Sequence, residues 1–236
     1  MAITEGTIWT DRVPPRMPLT PAERITESVR LYGAANAPYI LAQMPGLFEL
    51  EINNAVTFPH PSLTGAYESG CAEPWTTQVV ASLLIASNQR TVLETGGFTG
   101  QTSAWMAMAL ERLGGGHLTA VDIDPTRVAA IGERLKGLDL QVATYETVES
   151  DILKYLPTVP NQSIGFAWID DNHEKWHVER EINLLWPKMK KGGIMTFHDV
   201  KGSCDLQTVV KKYGGYSIDL PRLGAAGGLG ILQIPT

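Results

Sequence analysis

The chain has 236 residues, of which 44% are hydrophobic, and its 19 basic and 25 acidic residues give a formal net charge of −6. This composition is typical of a globular protein and excludes a disordered chain. No Lys/Arg-rich run accompanies the acidic balance, so nucleic acid is not an expected partner. The apolar runs fall short of the ~20 residues that a membrane helix requires, so no membrane partner is expected either.

Cysteine and proline patterns predict one domain with an N-terminal extension. Cys71 and Cys204 are far apart and belong to no CxxC motif, which argues against a disulfide framework or a zinc ribbon and favours a cytoplasmic location. Prolines interrupt residues 1–70, for which we predict an arm and a cap with a helix over 20–33, and no independent core. Residues 71–236 should form the domain that carries the site.

From residue 76 onwards, helical and strand patterns alternate. Strand patterns occur at 90–94, 117–121, 140–144, 164–169 and 194–197. Helical patterns occur at 76–86, after a glycine-rich turn, after Asp124 and after His173. This alternation predicts an α/β fold with a doubly wound, mostly parallel sheet, which binds ligands at the carboxyl ends of its strands. Two last candidates, 216–220 and 230–234, should pair antiparallel and complete a seven-stranded sheet.

The glycine-rich turn over residues 94–100, E-T-G-G-F-T-G, follows the first predicted strand. A dinucleotide fingerprint would need glycine at Phe98, and a P-loop would need lysine at Gln101, so neither motif fits. What remains is E-x-G-x-x-x-G, with Asp122 at the end of the next strand, 22 residues after Gly100. A carboxylate there could accept both hydroxyls of a ribose. A plain strand-to-helix turn is the alternative interpretation.

This arrangement resembles the class I S-adenosylmethionine (SAM)-dependent methyltransferases, which have a Rossmann-like fold. The resemblance implies that Asp122 holds the ribose of SAM and that Glu94 lies near the methionine end. An acid after the third strand usually meets the adenine, a place taken here by Ser150 and Asp151, although Asp151 could equally cap a helix. The implied cofactor-binding residues are Glu94, Gly96, Gly97, Gly100, Thr102, Asp122, Ser150, Asp151 and Asp170.

Acids and histidines also follow the fourth and fifth predicted strands. Asp170 and His173 follow the fourth, and His198 and Asp199 follow the fifth. Neighbouring parallel strands lie ~4.8 Å apart, so these side chains would share one crevice if the two strands are adjacent. Such a cluster can bind a divalent ion, which lowers the pKa of a coordinated hydroxyl. His173 could then accept the released proton.

The run D-x-x-H, then P-x-x-x-x-G-G, then H-D, between residues 170 and 199, resembles a branch close to metal-dependent small-molecule O-methyltransferases of the catechol and macrolide-sugar types. The resemblance implies that Asp170 and Asp199 bind the metal, Mg²⁺ or Mn²⁺, and that His173 is the catalytic base beside Asp170. His198 departs from the several relatives that have an acid there. As a third ligand it would favour Mn²⁺, Fe²⁺ or Zn²⁺ over Mg²⁺; otherwise it orients Asp199.

The expected function is therefore SAM-dependent methylation of a hydroxyl on a small-molecule acceptor, assisted by a divalent metal. One alternative is a metal-independent N- or O-methyltransferase in which His173 works alone. A non-catalytic SAM-binding protein is a second alternative. The sequence leaves the acceptor undetermined, and it leaves a homo-oligomer open.

Overall fold

A computed structural model describes residues 71–72, 74–201, 205–218 and 227–236. The arm, cap and helix predicted within residues 1–70 lie outside the described residues. Within the described residues, no helix is both long enough and apolar enough to cross a bilayer.

The described residues form six α-helices and seven β-strands, connected in places by short 3₁₀ turns. The helices are α1 (Pro74–Ser87), α2 (Gln101–Arg112), α3 (Pro125–Lys136), α4 (Ile152–Tyr155), α5 (Lys175–Leu185) and α6 (Leu206–Lys212). The strands are β1 (Thr91–Thr95), β2 (Gly116–Asp122), β3 (Ala143–Glu149), β4 (Ile164–Ile169), β5 (Met189–Phe197), β6 (Tyr216–Ile218) and β7 (Leu229–Gln233).

All seven strands belong to one sheet, in the order β3-β2-β1-β4-β5-β7-β6. The pairs among β1 to β5 are parallel, whereas β7 pairs antiparallel with both β5 and β6. The predicted seven-stranded, mostly parallel α/β fold with an antiparallel C-terminal pair is therefore confirmed. The strand order reverses direction between β1 and β4, and in such sheets a ligand crevice opens at that point.

The two faces of the sheet are covered by different helices. Residues of α1, α2 and α3 form the core on one face around Trp105 and Trp168. Residues of α4, α5 and α6 form the core on the other face around Ile182 and Phe197. Every residue of β4 is buried, which explains its continuous apolar sequence, since a central parallel strand contacts a core on both sides.

Two strands differ from the sequence prediction by more than two residues, and one helix is additional. The third strand covers Ala143–Glu149, not 140–144, because the buried carboxylate of Glu111 accepts the backbone N–H groups of 141–143 and holds that stretch at the start of the strand. The fifth strand covers Met189–Phe197, not 194–197, since α5 ends at Leu185 and a 3₁₀ turn that contains a proline leads directly into the strand. Helix α6 was not predicted at all.

Candidate active site

The glycine-rich turn joins β1 to α2 at the carboxyl edge of the sheet. Gly96 and Gly100 have left-handed φ angles of +77° and +80°. A Cβ atom on Gly96 would lie 2.6 Å from the Cα of Asp171, so the turn presses directly against the chain that leaves β4. Glycine is required for this approach, and the turn leaves the N-terminus of α2 close to the crevice.

Glu94 is the first residue of the E-x-G motif, near the end of β1, and it is completely buried. The Ser103 hydroxyl donates a hydrogen bond to its Oε2 atom, while Oε1 has no hydrogen-bond partner. Burial raises the pKa of Glu94 to about 8; the charges of Asp170 and Asp122 add to this rise, and the Ser103 hydrogen bond opposes it. Glu94 therefore carries a proton near neutral pH. The sequence analysis missed Ser103.

Asp122 ends β2 next to the glycine-rich turn, and 4% of its surface is exposed. Its Oδ2 accepts the backbone N–H of Phe98 at 3.1 Å, and its Oδ1 accepts that of Asp124 at 3.0 Å. Each carboxylate oxygen can accept more than one hydrogen bond. The carboxylate therefore fixes the turn and keeps acceptor capacity, as the predicted ribose contact requires.

The remaining predicted cofactor residues lie around this edge. Asp151 caps α4 by accepting the backbone N–H of Leu153 at 3.0 Å, which is the alternative interpretation raised above. The backbone N–H of Ser150 donates to the carbonyl of Asp122 at 3.0 Å, so the ends of β3 and β2 meet. Thr102 is buried in the first turn of α2. Contact of these three side chains with a cofactor stays a prediction.

The acids and histidines after β4 and β5 converge because the two strands are adjacent, as the prediction assumed. His198 Nδ1 lies 2.9 Å from Asp170 Oδ1 and 3.6 Å from Asp199 Oδ2. His173 Nε2 lies 3.4 Å from Asp170 Oδ1 and 3.7 Å from Asp199 Oδ2. Two carboxylates and two imidazoles therefore form one group, which we call the strand-end cluster (Asp170, His173, His198 and Asp199).

Charge and burial set the properties of the strand-end cluster. The contact with Asp170 raises the pKa of His173 above its usual value; burial opposes this shift, and the charge of Asp199 adds to it. His198 is buried, and its ring lies 5.5 Å from that of Trp168. Asp199 has a left-handed φ of +47°, an unusual conformation for a residue other than glycine. The cluster thus combines a protonatable base with two acids.

The donor atoms of the strand-end cluster fit a divalent ion. One ligand atom each from Asp170, His173 and His198 lie within 4.8 Å of one another, and the predicted ligand Asp199 is not part of this set. Two donors that are about 2.1 Å from one ion and at right angles are about 3 Å apart, close to the separations above. A mixed nitrogen and oxygen set suits Mn²⁺, Fe²⁺ or Zn²⁺ better than Mg²⁺. His173, predicted only as a base, is within ligand distance of the same position.

A second group of acids and a histidine was missed by the sequence analysis. It consists of Asp171, His177 and Glu181, whose ligand atoms also lie within 4.8 Å of one another. His177 and Glu181 are four residues apart on α5, a spacing that places two side chains on one helix face. This spacing was visible in the sequence, but nothing in it showed that Asp171 would join them.

Comparison with sequence families gives one match. Residues 93–200 match the profile of a family described as "Methyltransferase domain". The matched segment contains the glycine-rich turn, Asp122 and the whole strand-end cluster. No curated protein matches the sequence.

Solved structures share the fold at low sequence identity. The O-methyltransferase TomG from Streptomyces achromogenes, involved in tomaymycin synthesis and solved with SAM, is 15% identical, with a TM-score of 0.62, and the match covers 78% of this chain and 95% of that chain. An O-methyltransferase from Bacillus cereus, solved with S-adenosylhomocysteine (SAH), is 12% identical, with a TM-score of 0.55 and 92% of each chain covered. An rRNA methylase from Streptococcus thermophilus is 14% identical, with a TM-score of 0.50, and 68% of this chain and 95% of that chain are covered.

These likenesses show the methyltransferase fold and leave the acceptor open, since O-methyltransferases and an rRNA methylase share it. Residues 93–200 are thus similar to a methyltransferase domain, and the described residues have the fold of methyltransferases that were solved with SAM or SAH.

Proposed function

We propose that the chain transfers the methyl group of SAM to a hydroxyl of a small-molecule acceptor, assisted by a divalent cation bound by Asp170, His198 and Asp199. His173 is the general base in this proposal. The observation that carries it is the convergence of two carboxylates and two imidazoles beside a glycine-rich turn that presses on the chain leaving β4.

The residues around the turn suit SAM. A bound SAM supplies a methyl group on a positively charged sulfur, so little chemical activation is needed on that side of the reaction. Asp122 would accept the ribose hydroxyls, and the turn at Gly96 and Gly100 would lie along the cofactor. The unpartnered Oε1 of Glu94 is a buried acceptor that a cationic ligand group would satisfy.

The strand-end cluster suits activation of a hydroxyl. A bound divalent cation would lower the pKa of an acceptor hydroxyl. His173 would take the released proton at Nε2, where the carboxylates of Asp170 and Asp199, at 3.4 Å and 3.7 Å, stabilise the resulting imidazolium. His173 and the acids would also hold the acceptor oxygen in line with the sulfur-methyl bond, which is the main contribution a protein makes to a displacement of this kind.

A small acceptor fits the chain's charge better than RNA does. The formal net charge is −6, whereas proteins that bind a phosphate backbone rely on clustered Lys and Arg side chains. The SAM complex of TomG, an O-methyltransferase that is involved in tomaymycin synthesis, supports oxygen as the methylated atom.

A metal-independent methyltransferase is the second candidate. The 2.9 Å hydrogen bond between His198 Nδ1 and Asp170 Oδ1 satisfies both groups without an ion. In that case His173 alone would accept the proton, and the acceptor could be a hydroxyl or an amine. A non-catalytic SAM-binding protein is a third outcome of the same experiment.

The test measures SAH formation from SAM with a panel of catechols, phenols, sugar hydroxyls and amines, in excess chelator and after adding back Mn²⁺ or Mg²⁺. We expect turnover of a hydroxylated acceptor only with metal, and loss of the response in Asp170→Asn but not in Asp139→Asn, a control at an exposed loop. Full turnover in chelator would favour the metal-independent candidate. SAM binding without SAH formation from any acceptor would favour the non-catalytic one.

A further inference from the structure

A second acidic cluster lies directly beside the first, on the side of helix α5. Asp171 follows Asp170 in the chain, and its Oδ2 lies 2.8 Å from Nε2 of His177, in the first half of α5. Glu181, one helical turn further on, is completely buried. We call Asp171, His177 and Glu181 the helix-side cluster. None of the three has a role in the methyl transfer proposed above.

Several polar atoms in the helix-side cluster and beside it have no hydrogen-bond partner. These atoms are both carboxylate oxygens of Glu181, Oδ1 of Asp171 and the hydroxyl of the neighbouring Thr95. Among the described residues, no Lys or Arg forms an ion pair with Asp171 or Glu181. A buried carboxylate without compensation costs several kcal/mol. The cluster therefore needs a positive charge or a proton from elsewhere.

A divalent cation would satisfy these atoms. The cluster offers two carboxylates and one imidazole, whose ligand atoms lie within 4.8 Å of one another. The 2.8 Å between Asp171 Oδ2 and His177 Nε2 is also the spacing of two donors that are about 2.1 Å from one ion and roughly at right angles. The side chains of Asp171 and His177 are 18% and 10% exposed, so an ion could reach the position from solvent.

We propose that Asp171, His177 and Glu181 form a divalent-cation site of their own, distinct from the strand-end cluster. Two carboxylates and one imidazole suit Mn²⁺, Fe²⁺ or Zn²⁺. An ion there links α5 to the segment between β4 and α5. It therefore positions Asp170 and His173, which belong to that segment. Its role is positioning, because Glu181 is too deeply buried to meet an acceptor.

The competing state has a proton in place of the ion. Burial raises the pKa of Glu181 well above its usual range, and the charge of Asp171 adds to this rise. Without a cation, a proton on Glu181 would remove the repulsion between its carboxyl group and the Asp171 carboxylate. Glutamine closely imitates protonated glutamate in size and hydrogen bonding, so Glu181→Gln should fold normally and lose only the capacity to bind an ion.

The test counts bound Mn²⁺ in the full chain by electron paramagnetic resonance of the free ion, for wild type, Glu181→Gln and Glu179→Gln. Glu179 is the matched control, since it lies on the same helix and pairs with Lys212 at the surface. We expect Glu181→Gln to bind one Mn²⁺ per chain fewer than Glu179→Gln, or to bind it at least tenfold more weakly. His177→Gln should give the same result.

Repeating the measurement in the Asp170→Asn background distinguishes ion binding at the helix-side cluster from ion binding at the strand-end cluster. This substitution should weaken only the ion of the strand-end cluster, so the loss caused by Glu181→Gln should persist in the double variant. Equal Mn²⁺ binding by Glu181→Gln and Glu179→Gln, in both backgrounds, would overturn the proposal and leave the shared proton as the correct description. That result would not affect the proposed methyl transfer, which depends on Asp170.

Discussion

Two regions of the sheet each place a histidine beside an acid, but their surroundings differ. On β2 and β3, His117 Nε2 lies 3.6 Å from Glu146 Oε1, and the two side chains are 42% and 52% exposed. At the carboxyl edge of β4 and β5, His198 Nδ1 lies 2.9 Å from Asp170 Oδ1, and the two side chains are 7% and 12% exposed. The residue types are similar, whereas burial and spacing are not.

The difference shows what makes a site out of such residues. His117 and Glu146 border a cavity of about 250 Å³, but solvent screens the charges of such exposed pairs and keeps their interaction weak. The strand-end cluster draws its four side chains from two central strands, beside a turn whose glycines permit close approach. Buried charges at short range interact more strongly, so we expect chemistry at the carboxyl edge and none at the His117 pair.

The largest expected effect is that of metal removal. Excess chelator should abolish turnover, and Asp170→Asn should raise the Mn²⁺ concentration needed for half-maximal turnover, because a neutral amide is a poorer ligand than a carboxylate. Glu146→Gln is the control from the exposed pair and should leave the Mn²⁺ response unchanged. Titrations of turnover against Mn²⁺ concentration measure the response of both variants. An identical response in the two variants would remove Asp170 from the metal site.

His173→Ala should lower turnover by roughly 10² to 10⁴, the usual contribution of a general base. SAM affinity should stay nearly unchanged, since a base acts in the transition state. Protonation of His173 should give the wild-type pH profile an acid limb, and this limb should disappear in the variant. His117→Ala is the matched control. Wild-type turnover in His173→Ala would place the base elsewhere.

Asp122→Ala should weaken SAM binding by about 1.5 to 3 kcal/mol, which is roughly 10-fold to 150-fold, if a charge-assisted hydrogen bond to the ribose is lost. Calorimetric titration of the folded variant measures the change. Part of the loss could come from the turn, because Asp122 also accepts the backbone N–H of Phe98. Asp122→Asn, which retains an acceptor oxygen, should therefore bind with intermediate affinity. Equal affinity in all three proteins would exclude Asp122 from the cofactor site.

The last expected effect is on stability instead of catalysis or binding, and it acts through Glu94. Its folded-state pKa of about 8 lies above the ordinary glutamate value of about 4.5, so the folded state binds the proton more tightly than the unfolded state. The free energy of unfolding should therefore fall as pH rises from about 4.5 to about 8. Denaturant unfolding of Glu94→Gln should show a shallower fall. Glu133→Gln, at an exposed position, should retain the wild-type slope.

The sequence predicted the sheet because its signals were local. The buried run of β4, the turn glycines and the cap at Asp124 each fix a short stretch of chain without help from distant residues. The start of β3 could not be predicted in this way, since it depends on Glu111 of α2 reaching the backbone 30 residues further along the chain. Propensity gives no indication of such a contact.

In the candidate site, too, local signals could be predicted from the sequence and long-range contacts could not. The strand-end cluster was predicted because strand ends and adjacent strands can be inferred from alternation of helix and strand. The helix-side cluster was missed, because it needs Glu181 to be buried against Asp171, and burial of a single charged helix residue is not visible in the sequence. The raised pKa of His173 likewise depends on distances that only the packed structure defines.

The most direct test of the account is a crystal structure of the full chain grown with SAH and Mn²⁺, with the ion located by its anomalous scattering. The account predicts SAH along the glycine-rich turn with its ribose hydroxyls at Asp122, and an anomalous peak bonded to Asp170, His198 and Asp199. SAH bound elsewhere, or an empty turn at saturating SAH, would contradict the assignment of the carboxyl edge as the methyl-transfer site. SAH at the turn without a peak at the strand-end cluster would contradict the metal-assisted mechanism.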